Sequence, residues 1–194
     1  MGPDETEAAN SLEAVSRMIK FAARLTIGSA ILAAVAMAGQ AQESTNRVDA
    51  KTDWSVFVED DPTECWVVSA PKSTVNTRDG KVVAVNRGDI LMFVSYRPGT
   101  EVQGEVSFTG GYPFKEGTTV NLRIGSASYE MFVDGEWAWP ASEAEDAKIT
   151  TSMKRGASAI VSGVSSRDTR TEDTFSLLGF TAALEEADKR CGTQ

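Results

Sequence analysis

Residues 118–135 read Thr-Thr-Val-Asn-Leu-Arg-Ile-Gly-Ser-Ala-Ser-Tyr-Glu-Met-Phe-Val-Asp-Gly. Val120, Leu122 and Ile124 alternate with Asn121 and Arg123, the period of a strand with one buried face. Gly125-Ser126 serves as a two-residue loop into a second strand, Ala127 to Val133, and Asp134-Gly135 turns the chain toward Trp137-Ala138-Trp139. Strands joined by turns this short run antiparallel, because a parallel crossover needs a dozen residues or more.

The same period recurs upstream. Trp54, Val56 and Val58 share a face in a strand that Glu59-Asp60-Asp61-Pro62 ends, and Gln42 to Asp53 before it reads as a loose polar leader. Cys65 to Ala70 is a short β-rich run, and Pro71 to Gly80 reads as a polar connection. Lys81 to Val85 and Ile90 to Tyr96 flank Asn86-Arg87-Gly88-Asp89, a hairpin signal. In Glu101 to Thr109, Val106 and Phe108 share a face, and Gly110-Gly111-Tyr112-Pro113 stops the strand.

Downstream the period changes. Ser142-Glu143-Ala144-Glu145 fits a capping box, Met153-Lys154-Arg155 puts positive charge in a last turn, and Gly156 suits the left-handed position beyond it, so a helix is predicted over 143–155. Strands are expected again at Ala157 to Ser165 and at about Thr174 to Leu178, joined by the charged stretch Arg167 to Asp173. Phe180, Leu184, Ala187 and Cys191 then recur at steps of four, three and four, one face of a short C-terminal helix. The class is mainly β: an antiparallel sandwich with a helical insert and a C-terminal helix.

The N-terminal segment speaks to compartment. Basic Arg17, Lys20 and Arg24 precede the uncharged run Leu25 to Ala38, and Gly39-Gln40-Ala41 leads into polar Gln42-Glu43-Ser44. These are the three parts of a secretory signal, here 18–41, with cleavage expected after Ala41 or alternatively Ala38. The run is shorter than the roughly 20 apolar residues of a membrane span. Acidic Asp4, Glu5, Glu7 and Glu13 stand where positive charge belongs, so Met18 is the expected start and 1–17 a mis-annotated or disordered extension.

Composition narrows the chemistry. The chain of 194 residues has formal charge −9, and removing 1–41 takes away three of its 19 basic and four of its 28 acidic residues, leaving −8 on one domain, 54–194, and its leader. Such a surface repels phosphate backbones and argues against nucleic acid as a partner. There is no histidine. Imidazole bases, Ser-His-Asp or Cys-His nucleophiles and the common zinc sets are therefore unavailable, and no cofactor motif stands in their place. Cys65 and Cys191 are expected to form a disulfide in an oxidising compartment, stabilising the fold by roughly 4 to 5 kcal/mol in the chain-entropy model; two free buried thiols are the alternative.

Candidate contact residues are few. Trp137 and Trp139 lie two apart and share a strand face, either as a stacking platform for sugar or peptide or, the favoured reading, filling the core or covering the adjoining helix. Glu59-Asp60-Asp61 and Glu143, Glu145 and Asp146 could offer oxygens to calcium, but without ligand spacing they read as a turn and a helix start. Arg167, Arg170, Glu172 and Asp173 are expected at an exposed hairpin tip, the first choice for a contact surface.

The blocks Gly111-Tyr112-Pro113-Phe114-Lys115-Glu116-Gly117, Ile124-Gly125-Ser126, Ala138-Trp139, Met153-Lys154-Arg155-Gly156 and Asp173-Thr174-Phe175-Ser176-Leu177-Leu178-Gly179-Phe180, with Asp53-Trp54, Cys65 and Cys191, resemble the invasion-associated locus B family of alphaproteobacterial exported proteins. Each block is common alone; their order and spacing from Trp54 to Cys191 carry the likeness. Asp168 departs from it, standing where the family often has glycine, and the additional cysteine pair of other members is missing. The resemblance implies an immunoglobulin-like sandwich, a periplasmic or outer-membrane-associated location, an envelope or host protein as partner and, in host-associated bacteria, a link to cell invasion. It implies no reaction, cofactor or catalytic residue. Two functions follow: a non-enzymatic interaction module, or a carboxylate-based hydrolase of an envelope polysaccharide, which needs an aromatic cleft with two facing acids.

Overall fold

The computed structural model describes residues 46–60, 63–100 and 102–192. The signal segment and the extension before it lie outside them. In chain order the elements are β1 (Arg47–Lys51), β2 (Trp54–Asp60), β3 (Thr63–Ser69), β4 (Ser73–Arg78), β5 (Lys81–Val82), β6 (Leu91–Arg97), β7 (Val102–Thr109), β8 (Thr119–Ile124), β9 (Ala127–Asp134), β10 (Trp137–Trp139), α1 (Glu143–Arg155), β11 (Ser158–Val164), β12 (Arg170–Ser176) and α2 (Phe180–Cys191).

Among the described residues these strands form one antiparallel sheet in the order β1-β2-β3-β6-β7-β10-β9-β8-β11-β12-β4-β5. The sheet folds over on itself. Phe108 of β7 meets Phe175 of β12 edge to face at 6.1 Å, and the Trp54 indole on β2 donates to the Ser176 carbonyl at 3.0 Å. The expected sandwich is thus a continuous sheet whose inner face is one core: Val56, Val67, Met92, Val94, Val106, Leu122, Val161 and Phe175 are essentially unexposed. Each such side chain contributes about 1.5–3 kcal/mol by leaving water.

The hairpin of 118–135 forms in the expected register, with Ile124 opposite Ala127 and Val120 opposite Met131, and Trp137 lies opposite Asp134. The helix over 143–155 forms as predicted, and the Ser142 side chain accepts from the Glu145 amide. Gly156, however, is extended (φ −85°) and not left-handed. It is small for a packing reason: a Cβ there would lie 2.7 Å from Ile124 Cγ2 and 2.9 Å from Leu177 Cδ1. Phe180, Leu184, Ala187 and Cys191 do line the buried face of α2, and Cys191 is bonded to Cys65 with the Cα atoms 5.9 Å apart.

Three stretches differ from expectation. The leader 42–53 contains β1, and the connection 71–80 contains β4; both carry polar, largely exposed side chains without an apolar alternation and are held chiefly by backbone pairing. The hairpin across Asn86–Asp89 does not form. The Asp79-Gly80 turn, with φ of 51° and 74°, pairs β5 with β4 instead, and β6 pairs with β3 and β7. Finally, β12 begins at Arg170, so the tip is only 165–169, and Asp173 is fully buried in the strand. Asp168 there has φ 59°, the left-handed turn that a glycine would fill.

Candidate functional site

The strands that cover the core also carry aromatics on their other face. Ala138 points inward and is fully buried, so its neighbours point out: Trp137 is 38% exposed and Trp139 half-buried. The core-filling arm of the favoured reading is therefore corrected, since a strand this short places both rings on the side opposite its one core residue. By the same alternation Trp66 lies opposite the buried faces of Cys65 and Val67, Phe93 opposite Met92 and Val94, and Phe57 opposite Val56. Phe132, cross-strand partner of Trp139, is 56% exposed.

These rings form a belt across the outer face. Phe57 stacks on Trp66 with centroids 5.5 Å apart and planes 1° from parallel, Phe93 tilts against Trp137 at 5.7 Å, and Trp137 stacks with Trp139 at 6.1 Å. Between them lies a shallow hollow of about 350 Å³, lined by Trp66, Phe93, Trp137 and Trp139, with Ser95 and Ser107 on its floor. Along one side Arg97 donates from Nε to Glu64 Oε1 at 2.6 Å and from Nη1 to Glu105 Oε1 at 3.0 Å. The sequence held a signal for this belt: Phe57, Trp66 and Phe93 each interrupt an apolar alternation at the position expected to be polar.

The remaining candidates lie elsewhere. Arg167 sits exposed at the 165–169 tip, beside a hollow of about 490 Å³ shared with Arg78 and Tyr112. Arg170 and Glu172 project from β12 over a different hollow of about 440 Å³, next to Val75 and Thr77 of β4. The structure does not gather them with the Trp pair into one site. Asp173 is removed from the surface altogether, because Arg87 grips both its oxygens, Nη1 to Oδ1 at 2.7 Å and Nη2 to Oδ2 at 2.6 Å. Arg87 also donates to the Gly110 carbonyl and Asn76 and lies 4.9 Å from the Tyr112 ring centroid, so the pair pins the Asn86–Asp89 loop to the sheet. Burial pushes the Asp173 carboxyl above its usual range against the pull of Arg87.

Among the described residues no group of three or more acids and cysteines is placed to hold a metal ion. Glu145 pairs with Lys148 at 2.6 Å, and Asp146 turns inward to accept from the Val106 amide at 2.8 Å, so the helix-start acids serve the helix. No helix of the described residues is long and apolar enough to cross a membrane.

The family model described as Invasion associated locus B (IalB) protein matches residues 54–188. Among solved structures, the crystal structure of invasion associated protein B from Bartonella henselae is similar at 14% identity, covering 73% of this chain and 95% of that one with a TM-score of 0.49. Nothing among the curated proteins matches. With the matched span running from the first core strand into the last helix, the chain belongs to the invasion associated locus B family.

Proposed function

We propose that the protein is an exported, non-enzymatic envelope protein of the invasion associated locus B type that engages an envelope or host component through the outer aromatic face of its sheet. The observation that carries this reading is the belt of Phe57, Trp66, Phe93, Trp137, Trp139 and Phe132 on the side of the sheet away from the core. Apolar rings left at a surface mark contact sites, and Trp and Phe are the residues enriched there. The signal-like segment at 18–41 and the Cys65–Cys191 disulfide support a periplasmic or external location, with outer-membrane association as part of the proposal. Arg167, Arg170 and Glu172 are proposed as secondary polar contacts.

Cross-linking in intact cells followed by co-purification tests it. The natural chain should recover a partner that the Trp137→Ala/Trp139→Ala variant loses and the Arg167→Ala/Arg170→Ala variant mostly retains. Equal recovery from all three would sink the aromatic face as the contact. The mass of the purified protein should begin at Gln42; a mass that includes Met1 to Ala41 would sink the export reading.

One observation favours a second reading, hydrolysis of a polysaccharide. Glu64 and Glu105 face the same aromatic hollow and are bridged by one guanidinium. Against it, Arg97 holds Oε1 of each carboxylate, so both acids are committed to one shared ion pair. Release of reducing ends that Glu64→Gln or Glu105→Gln abolishes would establish hydrolysis in place of simple binding.

A further inference from the structure

The hollow on the aromatic face has polar atoms that the protein itself does not use. Among the described residues the indole N–H groups of Trp66, Trp137 and Trp139 have no acceptor, whereas the buried indole of Trp54 has one. The hydroxyls of Ser95 and Ser107 likewise make no hydrogen bond within the protein, although both residues are buried on the floor of the hollow. A partner that satisfies this surface must present an apolar face to the rings and, around its edge, groups that both donate and accept.

Three chemistries can be compared. An anionic polymer meets Glu64 and Glu105 against the single charge of Arg97, on a chain of net charge −9. A cationic peptide suits those charges but brings ammonium or guanidinium donors to a surface whose spare groups are chiefly donors. A sugar ring has C–H faces that lie against aromatic rings and hydroxyls that accept from indole N–H and exchange hydrogen bonds with serine. The volume of about 350 Å³ is at the small end of ligand sites, enough for a short stretch of chain and not for a folded domain.

We infer that the hollow bounded by Trp66, Phe93, Trp137 and Trp139 is a binding subsite for a neutral glycan, with Ser95 and Ser107 as the polar contacts on its floor. The inference rests on the aromatic face being the contact surface and names what it contacts.

Calorimetric titration of the purified mature chain with neutral gluco-, galacto-, manno- and N-acetylglucosamine hexamers, with hexalysine and oligogalacturonate alongside, tests it. Saturable binding to at least one neutral hexamer is expected, weakened about tenfold or more by Trp137→Ala/Trp139→Ala and to a lesser degree by Ser95→Ala/Ser107→Ala, with the thermal midpoint of each variant measured to confirm folding. Binding to none of the neutral hexamers, binding that the Trp variant leaves unchanged, or binding to hexalysine alone would overturn it. If cells still yield a cross-linked partner that depends on Trp137 and Trp139 while every hexamer fails, the glycan inference falls and the interaction face stands; if both fail, both fall.

Discussion

Gly179 sits at φ 88° where the chain turns into α2, and a Cβ there would collide with the Lys51 carbonyl oxygen at the end of β1. The β1–β2 turn passes directly beneath, Thr52 itself at φ 55° and the Asp53 amide donating to the Leu178 carbonyl at 3.3 Å. Gly179→Ala therefore meets backbone strain and a clash together and should destabilise the fold by about 2–4 kcal/mol in urea denaturation. Gly125→Ala, at φ 57° but with nothing within 4 Å, should cost only the conformational term, about 1–2 kcal/mol. At Asp173, removal of the charge leaves the Arg87 guanidinium buried and uncompensated. Asp173→Asn should cost about 3–5 kcal/mol, and the double variant Arg87→Met/Asp173→Leu much less, both read from the same denaturation curves.

At the scale of the element, α1 packs Ile149 and Met153 against the sheet, meets Tyr129 of β9 through Ser152, and is tied to β7 by a buried carboxylate. Asp146 Oδ1 accepts from the Val106 amide, two residues beyond Gly104 at φ 78°, where the β6–β7 register shifts and that amide needs a partner. Burial holds the Asp146 carboxyl above the ordinary aspartate value, the Val106 amide pulling it down and the Glu105 and Glu143 charges adding to the rise. The native state then binds more protons than the unfolded one between those two values, so this group's contribution to stability falls as pH rises from about 4 through the raised folded value and is level above it. Asp146→Asn keeps an acceptor for Val106 and removes the charge. It should be as stable as or more stable than the natural chain at pH 7, with a flatter stability profile upward from pH 4. Asp146→Ala should lose about 1–3 kcal/mol at every pH, because the amide is left unpaired. Equal behaviour of the two variants would show that the carboxylate does not hold the helix in this way.

For the whole molecule, the disulfide joins the third strand to the last turn of the last helix across a sequence separation of 126. It works with packing: α2 buries Phe180, Ala183, Leu184 and Ala187, and Phe180 meets Trp54 edge to face at 4.8 Å. Cys65→Ala/Cys191→Ala should lower stability by about 2–5 kcal/mol and leave α2 the first element to exchange its amide hydrogens. Because both cysteines are essentially unexposed, dithiothreitol alone should leave the bond intact, with reduction appearing only in denaturant. Ready reduction of the native protein would mean that α2 opens far more often than its buried face implies.

Where a side chain's own period reports its burial, the sequence by itself determined the outcome: the 118–135 hairpin, the capped helix over 143–155 and the inward stripe from Phe180 to Cys191 are all local patterns. It also determined the missing imidazole chemistry and left Cys65 and Cys191 either paired with each other or free, a choice that the structure makes in favour of the disulfide. Strands β1 and β4 escaped because backbone pairing, of β1 with the adjacent β2 and of β4 with the distant β12, leaves no mark on side-chain type. Asp173 looked like a surface acid for the same reason, its counterion lying 86 residues away. The aromatic face was decided only by tertiary structure. Trp66, Phe93 and the Trp137–Trp139 pair come from three strands, and sheet order, not sequence spacing, sets them side by side with their rings turned from the core.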